Sequence, residues 1–234
     1  MNICLIPARG GSKRIPRKNI RSFCGKPMIA WSIKAAQDSG AFDQILVSTD
    51  DLEIAEVARF HGAEVPFHRP DHLADDQAST QDVINHALDW VSEQGKNCEA
   101  LCCLYATAPF VQPEDLRLSK QRLEDSRPGT VVFAATSFPF PIQRAIHLDE
   151  QGYSAMFQPD CFSTRSQDLV EAYHDAGQFY WAKPQTWAEV TNLFEGMRPL
   201  ILPRWRVQDI DTEEDWQSAE LLHQLLLERG LIQG

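Results

Sequence analysis

The sequence contains no long apolar run, which argues against a helix that spans a membrane. No stretch of about 18 consecutive apolar residues occurs among its 234 residues. The basic N-terminal stretch is not followed by an extended apolar segment, so we expect no export signal and a cytoplasmic location. Internal repeats and low-complexity linkers are also missing, which favours a single domain over residues 1–234.

Positive charge is also scarce. The formal net charge is −11, whereas proteins that bind nucleic acid present a basic surface, so we expect no nucleic-acid partner. The basic residues nevertheless cluster near the N-terminus, at Arg9, Lys13, Arg14, Arg17, Lys18, Arg21 and Lys26. An acidic protein that binds an anionic ligand must gather its cations in one place or use metal ions. This cluster is therefore the first indication of such a site.

The six cysteines form no C-x-x-C pair, which excludes the usual spacing of a zinc or thiol redox site. Cys4, Cys102 and Cys103 lie in apolar runs, so we expect them to act as small apolar side chains in buried strands. We expect no disulfides, because the thiols of cytoplasmic proteins are kept reduced.

Strand-like and helix-like segments alternate along the chain, which predicts an α/β fold with a mainly parallel sheet covered by helices. The expected strands are 2–6, 44–48, 63–67, 99–105, 130–136, 178–181 and 200–202. The expected helices are 27–38, one capped by Asp50 and Glu53, those beginning near Ser79 and Pro113, and 212–229. Between about 138 and 176 the alternation stops, so we expect an excursion from the main sheet there.

The segment after the first strand combines glycine with basic side chains, in Pro7-Ala8-Arg9-Gly10-Gly11-Ser12-Lys13. It matches neither the G-x-G-x-x-G pattern of dinucleotide sites nor the P-loop pattern. Paired glycines let backbone amides approach phosphate oxygens, and ligands of open parallel sheets bind at the carboxyl ends of strands. We therefore interpret this segment as a phosphate site; the alternative is a tight surface turn.

Two carboxylates precede the last helix, in Asp209-Ile210-Asp211. On an extended backbone, side chains two residues apart point the same way, and hard cations such as Mg²⁺ or Mn²⁺ prefer oxygen ligands. The pair therefore predicts a site for one or two metal ions. The alternative is an acidic turn that caps the helix beginning near Thr212.

The N-terminal segment, continued through Ile15-Pro16-Arg17-Lys18-Asn19, resembles the signature loop of the CMP-sialic acid synthetase-like cytidylyltransferases. Asp209-Ile210-Asp211-Thr212 is similar to the metal motif of that family. The resemblance implies that Arg9 and the neighbouring amides hold the phosphates of CTP. It also implies that Lys18 stabilises charge at the α-phosphate and that Asn19 seats the nucleotide.

The resemblance extends along nearly the whole chain. Val47-Ser48-Thr49-Asp50 is similar to the end of the family's second strand, although we interpret Asp50 as a helix cap rather than a ligand. Arg69-Pro70 and Leu73-Ala74-Asp75-Asp76 resemble the segment that supports the base and triphosphate. The nucleotide contacts implied there are Arg69, Ser79 and Thr80, and Ser79 is equally suited to cap a helix.

The implied sugar contacts are Tyr105, Thr107, Gln143, Arg165 and His174. Arg165 suits a sugar carboxylate, and its alternative role is a surface salt bridge. Tyr173-His174-Asp175-Ala176-Gly177 resembles the pseudaminic acid branch of the family. Tyr105-Ala106, which stands at the Gln-Pro position of the sialic acid enzymes, and Phe138-Pro139-Phe140-Pro141 indicate a more apolar sugar site, which suits the same sugar. The chain departs from the family at Arg14, which stands at a glycine position.

The resemblance implies a three-layer, Rossmann-like nucleotidyltransferase fold that transfers CMP from CTP to a nonulosonic acid, and pseudaminic acid is the expected sugar. In relatives the excursion makes homodimer contacts and closes the partner's sugar site, so we expect a homodimer. N-acetylneuraminic and legionaminic acids are the alternative sugars. More distant alternatives are another sugar nucleotidyltransferase, a D-x-D glycosyltransferase, or a nucleotide-binding protein without enzymatic activity.

Overall fold

The computed structural model describes residues 1–75 and 77–233. Its strands are β1 (Asn2–Pro7), β2 (Ser22–Phe23), β3 (Lys26–Pro27), β4 (Gln44–Ser48), β5 (Ala100–Leu104), β6 (Val132–Ser137), β7 (Ile146–Leu148), β8 (Ser154–Met156), β9 (Tyr173–Ala182) and β10 (Arg198–Ile201). Its α-helices are α1 (Met28–Ser39), α2 (Leu52–Phe60), α3 (Thr80–Glu93), α4 (Pro113–Glu124), α5 (Pro184–Glu189) and α6 (Glu213–Glu228). None of the helices in the described ranges is long and apolar enough to cross a bilayer.

Six of these strands form one sheet in the order β10-β6-β9-β5-β1-β4. Strand β9 runs antiparallel to β5 and β6, and the other neighbouring strands are parallel. The predicted α/β fold with a mainly parallel sheet is therefore confirmed.

Helices cover both faces of the sheet, and β1 shows how the sequence specifies this. Alternate residues of a strand point to opposite faces. Cys4 and Ile6 pack with residues of α1, α2 and α4, whereas Ile3 and Leu5 pack with residues of α3 and α5. Because both faces are buried, β1 is apolar at every central position instead of alternating. Cys4, Cys102 and Cys103 are buried in the strands of this sheet, as predicted, and all six cysteines have free thiols.

A third apolar cluster joins the two ends of the chain. Ile15, from the loop after β1, packs in it with Ile210 and with Trp216 of α6. His223 is fully buried beside the ring of Phe23, and burial lowers its pKa to about 4 because the charged imidazolium loses its hydration. This cluster brings the N-terminal loop next to Asp209-Ile210-Asp211, although about 190 residues separate them along the chain.

Two local predictions for the segment after β4 are wrong. Asp51, not Asp50, caps α2, because its Oδ1 accepts the backbone N–H groups of Glu53 and Ile54. Residues 63–67 form one isolated bridge, from Glu64 to Leu46 of β4, rather than a strand. Pro66 lies inside that segment and has no N–H to extend a ladder of hydrogen bonds.

The segment from residue 138 to residue 172, named the excursion from here on, leaves the main sheet and returns to it. It contains the β7–β8 hairpin, and β9 begins at Tyr173, a few residues earlier than the sequence suggested. Phe138 N–H donates to the Ala172 carbonyl at 3.0 Å, so the two ends of the excursion meet. Its surface exposes apolar side chains, namely Phe138, Phe140, Ile142, Ile146, Leu148, Tyr153, Phe157, Phe162 and Val170.

Candidate active site

A cavity of about 620 Å³ lies at the edge of the sheet where β1 and β5 end. Its walls come from the loop after β1 (residues 8–19, the basic loop), from the segment 69–83, from the turn after β5, and from Asp211. The carboxyl ends of parallel strands are where open α/β sheets bind ligands, so this position agrees with the fold. The cavity contains predicted nucleotide and sugar residues alike.

Four cations of the basic loop line this cavity, namely Arg9, Lys13, Arg14 and Lys18. The Arg9 guanidinium donates to the carbonyl of Asp75 at 2.9 Å, which fixes its direction across the cavity. In a chain with a formal net charge of −11, this concentration of positive charge creates a local attraction for anions. Asp76, part of the same resemblance to the family, lies outside the described residues.

Two carboxylates at the start of α2 lie against the basic loop, and Asp50 holds its backbone. Gly10 N–H donates to Asp50 Oδ1 at 2.9 Å. The sequence analysis predicted that this amide would contact a phosphate, but in the structure it is bonded to the protein. A Cβ at Gly10 would come within 2.7 Å of Asp51 Oδ2, and a close approach of this kind favours glycine. Asp50 therefore supports the loop.

Arg17 completes this support. Its φ is 56°, which is uncommon for a residue other than glycine, and its guanidinium forms ion pairs with Asp51 and Glu53. The hydrogen bond from Arg17 holds the pKa of Asp51 below its usual range. Sequence reasoning did not single out this ion pair, because nothing in the spacing of the residues indicates it.

Lys18 and Asn19 lie at the C-terminal end of the basic loop and line the cavity. Asn19 is 9% exposed, and its amide donates to the Arg9 carbonyl at 2.9 Å, so it fixes the loop that carries Arg9. The side chain of Lys18 is 15% exposed, and its Nζ lies 3.3 Å from Asp211 Oδ1. A partly buried lysine next to a carboxylate in an anion-attracting cavity is well placed to contact a phosphate.

The two carboxylates of Asp209-Ile210-Asp211 have different surroundings. Ile210 is buried, Asp211 lines the cavity, and Asp209 is exposed and absent from the cavity wall. The backbone N–H of Asp211 donates to Asp215 Oδ2 at 3.1 Å, and Asp215 also completes the capping box of α6 with Thr212. Within residues 1–75 and 77–233, no three His, Cys, Asp or Glu side chains converge on a metal position.

The predicted nucleotide residues of the segment 69–83 also reach the cavity. Arg69 is 3% exposed, and its Nε donates to Ser48 Oγ at 3.0 Å. Burial lowers the pKa of Arg69 to about 10, which leaves it charged at neutral pH. Ser79 caps α3 in a capping box and also lines the cavity, so it serves both of the roles considered for it. Thr80 Oγ1 lies 3.4 Å from the Tyr105 hydroxyl.

The predicted sugar residues are divided between two places. Tyr105 and Thr107 line the cavity. Gln143 instead donates to the Val170 carbonyl at 2.9 Å, and Arg165 pairs with Asp168 at 2.8 Å, both within the excursion.

His174, the fifth predicted sugar residue, lies on β9 against the ring of Phe138. Gln143, Arg165 and His174 are all absent from the walls of the cavity in their own chain.

The sequence analysis did not predict that Tyr180 and Asp175 would support Tyr105. The Tyr180 ring packs 5.5 Å from that of Tyr105, and the Tyr180 hydroxyl donates to the carboxylate of Asp175. Burial raises the pKa of Tyr180, and Asp175 adds to this shift, so Tyr180 stays protonated. The register of β9 beside β5 places Tyr180 near Tyr105, and the bulge of β9 opposite β6 brings Asp175 back to Tyr180. Neither the register nor the bulge was readable from sequence.

Cations of the basic loop thus face a carboxylate from the far end of the chain across one cavity on a three-layer α/β scaffold. Such a concentration of positive charge suits an anionic ligand. A family model described as cytidylyltransferase matches residues 3–184. The chain belongs to this cytidylyltransferase family, which confirms the predicted family and enzyme class. The alternatives of a D-x-D glycosyltransferase and of a protein without enzymatic activity are thereby set aside.

Individual relatives agree with this assignment. The pseudaminic acid cytidylyltransferase of Campylobacter jejuni is 44% identical over 225 residues, which cover 96% of this chain and 97% of the relative. The CMP-N,N'-diacetyllegionaminic acid synthase of Legionella pneumophila is 34% identical and covers 95% of this chain and 96% of the relative. A solved CMP:2-keto-3-deoxy-manno-octonic acid synthetase in complex with CTP is 17% identical, with a TM-score of 0.68 over 96% of this chain and 98% of that chain. This last likeness confirms the fold.

Proposed function

We propose that this chain transfers CMP from CTP to pseudaminic acid, giving CMP-pseudaminate and pyrophosphate. The cavity in which Arg9, Lys13 and Lys18 gather opposite Asp211 is the observation that carries the proposal. The identity to a pseudaminic acid enzyme, which is higher than that to a legionaminic acid enzyme, favours this sugar. Because CTP is a metabolite of the cytoplasm, we propose that the reaction takes place there.

The reaction is a single in-line displacement. The anomeric hydroxyl of the sugar gives its proton to a base, either a carboxylate of Asp209 or Asp211 or a hydroxide on the metal ion, and its oxygen forms a bond to the α-phosphorus. The bond from the α-phosphorus to the pyrophosphate oxygen breaks in the same step. Such a step is accelerated by positioning and by fixed charge rather than by a covalent intermediate. Lys18 supplies positive charge next to Asp211, and Arg9, held by Asp75, supplies it at the other side of the cavity.

We propose that Asp211, with Asp209, holds Mg²⁺ or Mn²⁺. The donor chemistry fits, because the Asp211 carboxylate reaches into the phosphate-binding cavity and offers hard oxygen ligands. With no third acidic or histidine ligand converging there among the described residues, phosphate oxygens and water would complete the coordination. Such an ion, when bound, neutralises charge on the α-phosphate and on the departing pyrophosphate.

The choice of sugar is tested by competition between acceptors. Pseudaminic acid carries a second acylamino group and a terminal methyl where N-acetylneuraminic acid has hydroxyls. A site with apolar walls rejects such hydroxyls because they would lose their hydrogen bonds. We expect kcat/KM for pseudaminic acid to exceed that for N-acetylneuraminic acid by at least about tenfold, or about 1.4 kcal/mol, in a pyrophosphate-release assay.

Legionaminic acid is the critical competitor, because this stereoisomer carries the same substituents and apolarity alone cannot discriminate against it. The internal control is KM for CTP, which should be the same with each sugar. Equal or faster turnover of legionaminic or N-acetylneuraminic acid would overturn the choice of sugar and leave the cytidylyltransferase class intact.

We further propose that the excursion makes a homodimer that completes the sugar site. Its exposed apolar side chains form a surface suited to burial, and Gln143 and Arg165 lie on it, away from the cavity of their own chain. A partner's excursion placed over the cavity would bring such side chains to the acceptor sugar.

Phe140→Asp is expected to shift the protein from dimer to monomer and to raise KM for the sugar, because it places a charge within the proposed interface. Light scattering at micromolar concentration measures the change in mass. The matched control is Phe60→Asp, since Phe60 of α2 is 86% exposed, comparable with 79% for Phe140, but lies outside the excursion. A fully active wild-type monomer would contradict the proposal.

A further inference from the structure

The carboxylate that the proposed function assigns to a metal ion is held by two cations of the basic loop. Arg14 Nη1 lies 2.6 Å from Asp211 Oδ2, and Lys18 Nζ lies 3.3 Å from Asp211 Oδ1. Each carboxylate oxygen therefore faces its own positive charge. A divalent cation that approached the same oxygens would be repelled at short range unless one of the two side chains moved away.

Arg14 is the partner that can move. Asp211 is fixed from behind, because Ile210 is buried and the Asp211 N–H is bonded to Asp215. The Lys18 side chain is only 15% exposed, whereas that of Arg14 is 70% exposed. An exposed ion pair contributes little to stability, so its exchange for another anion is easy.

A suitable new partner for Arg14 is the triphosphate itself. Arg14 lines the same cavity as Arg9 and Lys13, where the nucleotide phosphates are proposed to lie. The planar guanidinium donates in pairs to phosphate oxygens, which makes arginine a stronger phosphate ligand than a single point charge. The same side chain can therefore serve a carboxylate in one state and a phosphate in the other.

We propose that Arg14 is an exchangeable counter-ion that couples metal binding to nucleotide binding. It neutralises Asp211 in the nucleotide-free protein and transfers to the triphosphate when the nucleotide enters, which frees an Asp211 oxygen for the metal ion. The proposal rests on the proposed function for the identity of the nucleotide. Arg14 thus acts as a counter-ion of Asp211 in one state and as a ligand of the triphosphate in the other.

The test measures the two ligands separately on the full-length protein. Mn²⁺ binding is followed by electron paramagnetic resonance without nucleotide, and CTP binding is followed by calorimetry in the presence of chelator. We expect Arg14→Ala to bind Mn²⁺ at least about fivefold more tightly than wild type, the low end for coupled sites, and to bind CTP more weakly. A loss of local structure would weaken both ligands, so opposite shifts are specific to the exchange.

Matched variants locate the effect. Arg21→Ala removes the same charge from the same N-terminal stretch, but Arg21 pairs with Glu213 and does not line the cavity, so both affinities should stay at wild-type values. Arg14→Lys should keep most of the suppression of Mn²⁺ binding. Adding Asp211→Ala to Arg14→Ala should abolish the gain in Mn²⁺ affinity, because the gained site would be lost.

The proposal is overturned if Arg14→Ala binds Mn²⁺ no more tightly than wild type, or if its metal-free affinity for CTP is unchanged. Failure of the proposed function is a separate result, namely no pyrophosphate release by wild type from CTP and pseudaminic acid. Opposite shifts in the two affinities would still establish the role of Arg14 in that case.

Discussion

Replacing Asp211 with alanine is expected to lower pyrophosphate release from CTP at least about 100-fold, equivalent to about 2.7 kcal/mol of transition-state stabilisation. The physical reason is the loss of the one carboxylate of Asp209-Ile210-Asp211 that lines the cavity, and with it the proposed metal ligand. Asp211 is not part of an apolar cluster, so the thermal unfolding midpoint should change little. Steady-state kinetics over a range of Mg²⁺ concentrations is the measurement.

Two further variants show which carboxylates take part. Asp209→Ala should also lose activity, but less than Asp211→Ala, because the side chain of Asp209 lies outside the cavity wall. The matched control is Glu213→Ala, which removes a nearby acidic side chain that pairs with Arg21 and should keep wild-type rates. Full turnover by Asp211→Ala, or by wild type in excess chelator, would refute the role of Asp211 and of the metal.

Lys18→Ala is expected to reduce kcat/KM for CTP by at least about 13-fold, or about 1.5 kcal/mol, the low end for hydrogen bonds to charged groups. Lys18 is the least exposed of the cations that pair with Asp211, so water replaces its charge poorly. Arg9→Ala should show a loss of similar size. Because the proposed contact is to the nucleotide, the loss should be the same for every sugar that is tested.

The control for this prediction is another lysine of the N-terminal stretch. Lys26 stacks over the Trp31 ring, 4.3 Å from its centroid, and does not line the cavity. Lys26→Ala should therefore retain the wild-type kcat/KM. Wild-type rates in both Lys18→Ala and Arg9→Ala would show that the basic loop is not the phosphate site.

Periodicity indicates which residues are buried, and capping motifs indicate where helices begin. Together they predicted most of the fold. The continuous apolar run of β1 and the Thr212 cap of α6 are examples in which one segment of sequence determines one element. The Asp50 cap was wrong because two adjacent aspartates can each cap a helix. The Asp50 carboxylate accepts a tertiary hydrogen bond from Gly10 N–H, so Asp51 is the residue that caps α2.

Part of the site could also be predicted from the sequence, namely the part that a single segment supplies. The basic loop is a contiguous segment, so its cations could be named before the fold was known. The pairing of Arg14 with Asp211 joins residues about 200 positions apart and depends on the cluster that contains Ile15 and Ile210. The separation of Gln143 and Arg165 from the cavity follows from the path of the excursion, which leaves no periodic signal in the sequence.

The meeting of the two ends of the excursion has a consequence for how this enzyme can be altered. Since Phe138 and Ala172 are joined by a hydrogen bond, the intervening segment could be exchanged for one of different length without moving β6 or β9. The part of the cavity proposed to bind the nucleotide is made by residues 7–19, by the segment 69–83 and by Asp211, none of which belongs to the excursion. A chimera that carries the corresponding segment of another cytidylyltransferase is therefore expected to accept a different sugar while its binding of CTP stays unchanged.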